Sequence, residues 1–336
     1  MNQLKVKYRT PEVAIYKIIS AKKRNIYRYL ITTSETRKIC NKPEIIGLEF
    51  KKMLSQGIMK VLGKMDGEFG FSRQKDKDVC VLHFLRGGLT FGLYESLGAA
   101  YGFNRHQCSF ITSQRYRRGL NWHIKYDQYR KLSLPEKDVT FFLADVVATG
   151  TTLENGLEIL VNLCRGMKKN IRNFVLFTIG GDRAEIILEK YDKIFRKNFK
   201  YGNTWLFYIE GIFTMPEKGT KLTAAIPGTD LVRRPALLAP EFELSQYENY
   251  YYPLERCAIY DISSRVFEYK THLIDTIEYW EKLKESGKTL RELYRERWPV
   301  EIAVSSQEIQ FINWLTKNRN NKKFISDRIL QLEKLL

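Results

Sequence analysis

Short apolar runs alternate with helical stretches between Val79 and Ile209, and this alternation limits what the chain can fold into. Residues 79–85, 108–112, 139–144, 174–179 and 204–209 have the length and the branched or aromatic character of buried strands. Between them, residues 89–101, 152–164 and 184–199 carry apolar side chains at helical spacing. Strands that alternate with helices build a mainly parallel α/β sheet with helices on both faces. In such sheets ligands sit outside the carboxyl ends of the strands, so the loops that follow the strands are where chemistry is expected. One connection departs from the rhythm: residues 113–137 form a long polar segment, expected as a loop.

Two of the strand-to-helix loops have the composition of anion sites. Phe141 to Leu153 reads FFLADVVATGTTL: a buried strand, Asp145 at its exit, a turn of Ala148, Thr149, Gly150, Thr151 and Thr152, then a helix start. Such a turn aims several N–H groups and hydroxyls at one point, and the positive end of the helix adds to them, which suits a phosphate. Asp145 is placed to accept hydrogen bonds from sugar hydroxyls, so the implied ligand is a sugar phosphate. Threonine caps helices without any ligand; the order of the residues is therefore more informative than the turn alone. Upstream, Val79 to Phe91 reads VCVLHFLRGGLTF, a second apolar strand ending in Arg86, Gly87 and Gly88 before another helix. Paired glycines let the backbone approach an anion closely, and a guanidinium adds charge-assisted hydrogen bonds. Gly180, Gly181 and Asp182 close a third strand at the same edge and are expected as an ordinary turn.

The loop at 145–152 resembles the phosphoribosyl-pyrophosphate (PRPP) loop of the type I phosphoribosyltransferases, and the loop at 86–88 resembles that family's pyrophosphate loop. The resemblance covers roughly residues 79–210. It implies a type I phosphoribosyltransferase-like core, Mg2+ as cofactor, and transfer of ribose 5-phosphate from PRPP to a nucleobase or related nitrogen acceptor with release of pyrophosphate. By the same resemblance, Asp145, Ala148, Thr149, Gly150, Thr151 and Thr152 bind PRPP, with Asp145 also meeting the ribose hydroxyls and the metal. Arg86, Gly87 and Gly88 hold the pyrophosphate. Segment 113–137 takes the place of the family's mobile loop, from which Arg115, Arg117, Arg118 and Lys125 reach the pyrophosphate. Asp145, Arg86, Arg115 and Arg117 are the expected catalytic residues. The match departs from the family at Ala144, which replaces the first of two adjacent acidic residues, and at Ala148, where some purine-type members carry an acidic base. No general base is identified.

The formal net charge of +18 is concentrated: residues 1–60 hold 14 Lys/Arg against 4 Asp/Glu, and residues 113–137 hold 7 against 2. Focused positive charge fits RNA or DNA bound through these two segments, or a polyanionic small substrate. Tyr116, Trp122, Tyr126 and Tyr129 interleave with the second cluster, so a basic RNA-binding loop is the alternative there. Cys40, Cys80, Cys108, Cys164 and Cys257 lack metal or disulfide spacing, and His83 is expected as a packed core residue. No apolar run is long enough to span a bilayer and residues 1–10 lack a secretory apolar core, so a cytoplasmic protein is expected.

Around the core, residues 1–75 are expected as a basic, mostly helical N-terminal region, with a helix in 43–65, and 76–255 as the phosphoribosyltransferase-like core. Residues 256–336 are expected as a helical module for docking or homo-oligomerisation. Residues 223–240 and 246–253 carry no regular pattern; Tyr247, Tyr250, Tyr251 and Tyr252 either stack a base or pack a loop. Extensions of this size exceed what a salvage enzyme needs. They leave open a PRPP- or nucleotide-binding regulator or effector that associates with nucleic acid, by analogy with members in bacterial defence systems such as retrons. A toxin that consumes NAD or nucleotides through the same pocket is a third reading.

Overall fold

The computed structural model describes residues 2–20, 24–85, 87–118, 121–136, 138–216, 222–224, 231–256, 262–298, 305–318 and 321–336, with the backbone alone for 113–118, 121–128 and 234–236. Residues 2–33 fold as three strands, β1 (Asn2–Arg9), β2 (Val13–Ser20) and β3 (Tyr27–Thr33). This corrects the mostly helical expectation for residues 1–75. Leu4-Lys5-Val6-Lys7-Tyr8 alternates with a period of two, the signature of a strand, but its charges read as a solvated preface. Helix begins only at α1 (Ser34–Asn41), where Thr33 and Thr36 cap each other's backbone N–H groups. The expected helix at 43–65 is α2 (Gly47–Phe69), which ends on Gly70.

The alternating core follows as β4 (Val79–Phe84), a 3-10 turn (Gly88–Phe91), α3 (Leu93–Tyr101), β5 (Gln107–Arg118), β6 (Asn121–Lys131) and β7 (Asp138–Val147). It continues through α4 (Thr151–Gly166), β8 (Asn170–Gly180), α5 (Arg183–Asn198), β9 (Thr204–Thr214) and β10 (Val232–Leu238). Two expectations change here. The polar segment 113–137 is largely an antiparallel ribbon of β5 and β6, because its alternating polar and aromatic residues pair across strands. Residues 223–240 contain β10, whose pairing with β9 is irregular between Val232 and Leu237, around Pro235.

The strands form one sheet in the order β1-β2-β3-β9-β8-β7-β4-β5-β6, with β10 on β9. β3, β9, β8, β7, β4 and β5 run parallel, each to the next, and the outer pairs are antiparallel. The fold is thus the expected mixed, mainly parallel sheet flanked by helices. β4 is buried throughout, as a strand covered on both faces must be. On one face Phe84 packs against Gly156 of α4, and Arg28 of β3 pairs with Glu185 of α5 at 2.8 Å. On the other, Phe69 and Phe71, at and just after the end of α2, meet Phe207 and Phe142 edge-on at 5.6 and 5.3 Å. Each fully buried phenylalanine contributes about 1.5–3 kcal/mol, so this aromatic layer anchors the centre of the sheet.

After α6 (Pro240–Ser245), helices α7 (Ile262–Phe267), α8 (Tyr269–Glu285), α9 (Leu290–Arg297), α10 (Ser306–Lys317) and α11 (Asn321–Glu333) form the helical C-terminal region. They are stitched to the N-terminal helices. Buried Arg265 donates to the carbonyls of Ile39, Lys42 and Ile45 at the end of α1, and a His272 ring nitrogen lies 3.0 Å from the Pro43 carbonyl. Arg328 bridges Glu255 and Glu44, while the Trp280 indole donates to Glu255 at 2.7 Å. The tyrosines at 247–251 belong to this packing: Tyr250 stacks on Trp314 with centroids 4.2 Å apart and Tyr251 on Phe324 at 4.3 Å. Among the described residues no helix is long and apolar enough to cross a membrane.

Candidate functional site

Strand order places the two predicted loops side by side. From β4 the chain moves outward to β5 and β6, then returns to the other side of β4 as β7 and proceeds to β8 and β9. The connections after β4 and β7 therefore diverge, and the crevice between them is the topological switch point where open parallel sheets bind ligands.

At the exit of β7, Asp145 is 7% exposed. It is engaged by other groups and is not a free carboxylate. Ala148, Thr149, Thr151 and Thr152 are half-buried around Gly150, which adopts φ 78°, ψ 0° and opens α4. A side chain at Gly150 is excluded twice, by that backbone conformation and by Ile187 Cδ1, 2.2 Å from where its Cβ would stand. No side chain caps α4; the Thr149 and Thr151 hydroxyls lie 3.1 Å apart instead. The first-turn N–H groups of a 16-residue helix are thus left to an outside acceptor, beside two hydroxyls that can add to them.

The loop after β4 lies directly against β7. Gly87 packs so close that a Cβ there would stand 2.5 Å from Asp145 Oδ1, and one at Gly88 would stand 3.2 Å from the Ala144 carbonyl oxygen. The Gly87 carbonyl accepts from the Thr90 hydroxyl at 2.6 Å, which fixes the turn. Arg86 lies outside the described residues. The structure thus joins Gly87 and Gly88 to Asp145 in one crevice.

The basic residues of segment 113–137 are on the ribbon rather than in a loop. β5 pairs with β4 only as far as Ile111; beyond it the ribbon leaves the sheet, with Arg115 opposite Ile124, Arg117 opposite Trp122 and Arg118 opposite Asn121. Lys125 falls at the break in register between the pairs Gln114–Tyr126 and Arg115–Ile124. The side chains of these four residues lie outside the described part of the structure.

Several neighbours are clarified by the packing. His83 is buried, stacks on Phe110 at 5.2 Å and lies 3.5 Å from Cys108 Sγ; burial holds its pKa below the ordinary value, so it is the expected neutral core residue. The 180–182 turn is more than a connection, because the Gly181 N–H donates to the Val147 carbonyl at 3.1 Å and locks β8 to the end of β7. Its sequence signal was the glycine pair alone. In the N-terminal region, Lys7, Arg9, Arg24, Arg28, Lys51 and Lys60 each form an ion pair with a glutamate. Six of the 14 basic residues in this region are therefore paired with glutamates.

Among the described residues no cluster of three or more His, Cys, Asp or Glu side chains could hold a metal by itself. Asp145 as a single carboxylate fits Mg2+ that arrives on phosphate oxygens, because that ion keeps most of its ligands as water and phosphate and takes one or two carboxylates from the protein.

No family model and no curated protein matches the sequence. Among solved structures, the chain is similar to a hypoxanthine phosphoribosyltransferase from Staphylococcus aureus, with 16% identity and a TM-score of 0.28 over 48% of this chain and 77% of that one. It is also similar to a purine phosphoribosyltransferase from Pyrococcus horikoshii Ot3, with 16% identity and a TM-score of 0.26 over 49% of this chain and 93% of that one. A likeness of that degree carries no functional conclusion, which rests on the loops of this chain.

Proposed function

We propose that this chain is a phosphoribosyltransferase that transfers ribose 5-phosphate from PRPP to a nitrogen of a nucleobase or related heterocycle and releases pyrophosphate. The observation that carries the proposal is the contact of Gly87 with Asp145 at the switch point. The glycine pair beside Asp145 and the start of α4 without a side-chain cap, five residues after it in the chain, support this reading. PRPP has the matching order of groups: pyrophosphate, ribose hydroxyls, 5′-phosphate.

In this reading the N–H groups and hydroxyls of Thr149, Gly150, Thr151 and Thr152 hold the 5′-phosphate, and Asp145 orients the ribose hydroxyls. Arg86, Gly87 and Gly88 bind the pyrophosphate, with Arg115, Arg117, Arg118 and Lys125 of the ribbon approaching it from outside the sheet. As the bond to pyrophosphate breaks, positive charge builds on the sugar ring and negative charge on the leaving group, so prearranged donors at the leaving group lower the barrier. Mg2+, when bound, neutralises part of the pyrophosphate charge.

Calorimetry with PRPP and Mg2+, followed by a pyrophosphate-release screen across nucleobases, tests the proposal. Base-dependent release is expected, and Asp145→Asn should lower it about 100-fold or more. Absence of PRPP binding by the wild-type chain would overturn the reading.

A second reading, a PRPP- or nucleotide-binding regulator or effector associated with nucleic acid, is favoured by Ala144, which is 2% exposed within β7 and leaves Asp145 as the one carboxylate of that pair. PRPP binding without pyrophosphate release for any base, together with salt-sensitive RNA or DNA binding, would support it over the first.

A further inference from the structure

The edge of the sheet opposite the crevice carries a concentration of charge that the proposed reaction does not use. α4 and α5 both end there, and the turns that lead from them into β8 and β9 meet side by side, because those strands are neighbours. The Gly202 N–H donates to the Arg172 carbonyl at 2.8 Å, the Phe174 N–H to the Asn203 carbonyl at 3.0 Å, and the Asn203 N–H to Asn173 Oδ1 at 3.1 Å. These bonds join residues 165–173 and 193–203 into one ledge. The first stretch holds Arg165, Lys168, Lys169 and Arg172, the second Lys193, Arg196, Lys197 and Lys200, and neither holds an acidic residue.

Little of this charge is answered within the fold. All but Lys169 are exposed, and Lys169 donates to the Glu136 carbonyl at 2.6 Å. Among the described residues only Arg196 forms an ion pair, with Asp192. Glu136 and Asp138, before and at the start of β7, border the ledge. The helix dipole accounts for cations in the last turns of α4 and α5, which are Arg165, Arg196 and Lys197. It does not account for Lys168, Arg172 and Lys200, which lie past the helix ends. Lys168 is moreover held at φ 53°, the left-handed conformation that glycine adopts at a helix end without strain. A lysine thus stands where glycine would be the more stable choice.

We propose that this ledge is a docking surface for the phosphate backbone of a nucleic acid. Closely spaced, unpaired lysines and arginines on two turns locked together are suited to a run of phosphodiesters, whose released counterions drive association. A bilayer surface fits less well: Met167 is the one large apolar side chain exposed on the two turns, whereas interfacial anchors present several. β8 spans 11 residues between the ledge and the crevice edge, about 30–35 Å, so a bound strand lies clear of the crevice whether or not PRPP is turned over there.

Fluorescence anisotropy on the full chain, with labelled RNA and DNA strands of about 20 nucleotides at about 50 to 200 mM salt, tests this. Lys168→Gln, Arg172→Gln and Lys200→Gln combined should weaken binding about 10-fold or more at the lowest salt and reduce the slope of log affinity against log salt by about 2–3. The same loss of charge on α8, through Lys270→Gln, Lys282→Gln and Lys284→Gln, should have little effect. Lys168→Gly alone should weaken binding while the melting temperature stays level or rises, which separates the charge from the fold. Binding of RNA alone or DNA alone, lost in the ledge variant, would support the assignment and identify the ligand. Wild-type affinity in the ledge variant, equal weakening by the α8 variant, no binding of either strand by the wild-type chain, or tighter binding to vesicles of anionic lipid than to either strand would overturn it.

Discussion

Glu210 is the residue whose setting is least like that of its type. It lies at the carboxyl end of the parallel part of β9, fully buried, with φ 64°, a left-handed conformation that a residue with a long side chain rarely adopts. One carboxyl oxygen accepts from the Thr36 hydroxyl, and the carboxylate otherwise meets only Thr32 and the Thr33 backbone. Burial, only partly offset by Thr36, Thr32 and Arg37, pushes its pKa from 4.5 up to about 7. Because the folded pKa lies above the unfolded one, the folded state holds the proton more tightly. The stability from this group is complete below about pH 4.5 and is lost as pH rises through about 7. Urea denaturation from pH 5 to 8 should therefore show the wild type losing stability with rising pH, and Glu210→Gln should flatten that slope. An unchanged slope would mean that Glu210 is ionised in the fold. None of this was legible in the sequence, where Glu210 followed an apolar strand as an ordinary terminal polar residue. The two loops were legible for the opposite reason: Gly87, Gly88 and Gly150 each stand where an added Cβ would meet another atom at 3.2 Å or less. Such positions leave a fixed order of small residues in the sequence.

At the scale of elements, β5 pairs with β4 as far as Ile111, and beyond it the described pairing is with β6 alone. On the proposed function, replacing residues 113–128 by a short glycine linker should abolish pyrophosphate release. Arg115→Ala with Arg117→Ala should lower turnover or PRPP affinity about 10-fold or more. Wild-type kinetics in the double variant would remove the ribbon from the reaction. The sequence presented this segment as polar and basic, and it did so correctly. That the segment is a ribbon depends on which residues face each other, such as Arg117 and Trp122, and cross-strand register with breaks at two places is not written in either strand alone. The same limit concealed β1, whose lysines alternate with apolar residues, because a charged, exposed edge strand resembles a solvated arm.

At the scale of the whole molecule, the two ends of the chain are held together. Arg265 of α7 satisfies the carbonyls at the end of α1, its guanidinium pushed down to about 10 by complete burial. Glu255, with Trp280 and Arg328, ties α8 and α11 to the segment that follows β10 and, through Glu44, to the turn before α2. Arg265→Met would remove the donor shared by the Ile39, Lys42 and Ile45 carbonyls, and a loss of about 3–5 kcal/mol in urea or thermal unfolding is expected. The C-terminal helices were predictable from their apolar periodicity. Their attachment was not, since it runs through two arginines, Arg265 and Arg328, more than 200 residues from the carbonyls and the Glu44 carboxylate they meet.

The ribbon has a mechanical consequence. From Ser113 to Arg118 it projects about 20 Å beyond its last contact with β4, at roughly 3.4 Å per residue. A tilt of about 10° at the base carries the far end about 3–4 Å, the range over which a guanidinium gains or loses a phosphate oxygen. If the ribbon plays the part given to it under Proposed function, paired strands would act as an arm on a pivot, with the cross-strand hydrogen bonds intact as the arm moved. Closure over a substrate would then order few new backbone angles, whereas an unpaired loop of equal length would have to order most of them. Opening and closing would accordingly be governed by the few residues around Ile111 and Lys131, where the arm joins the sheet.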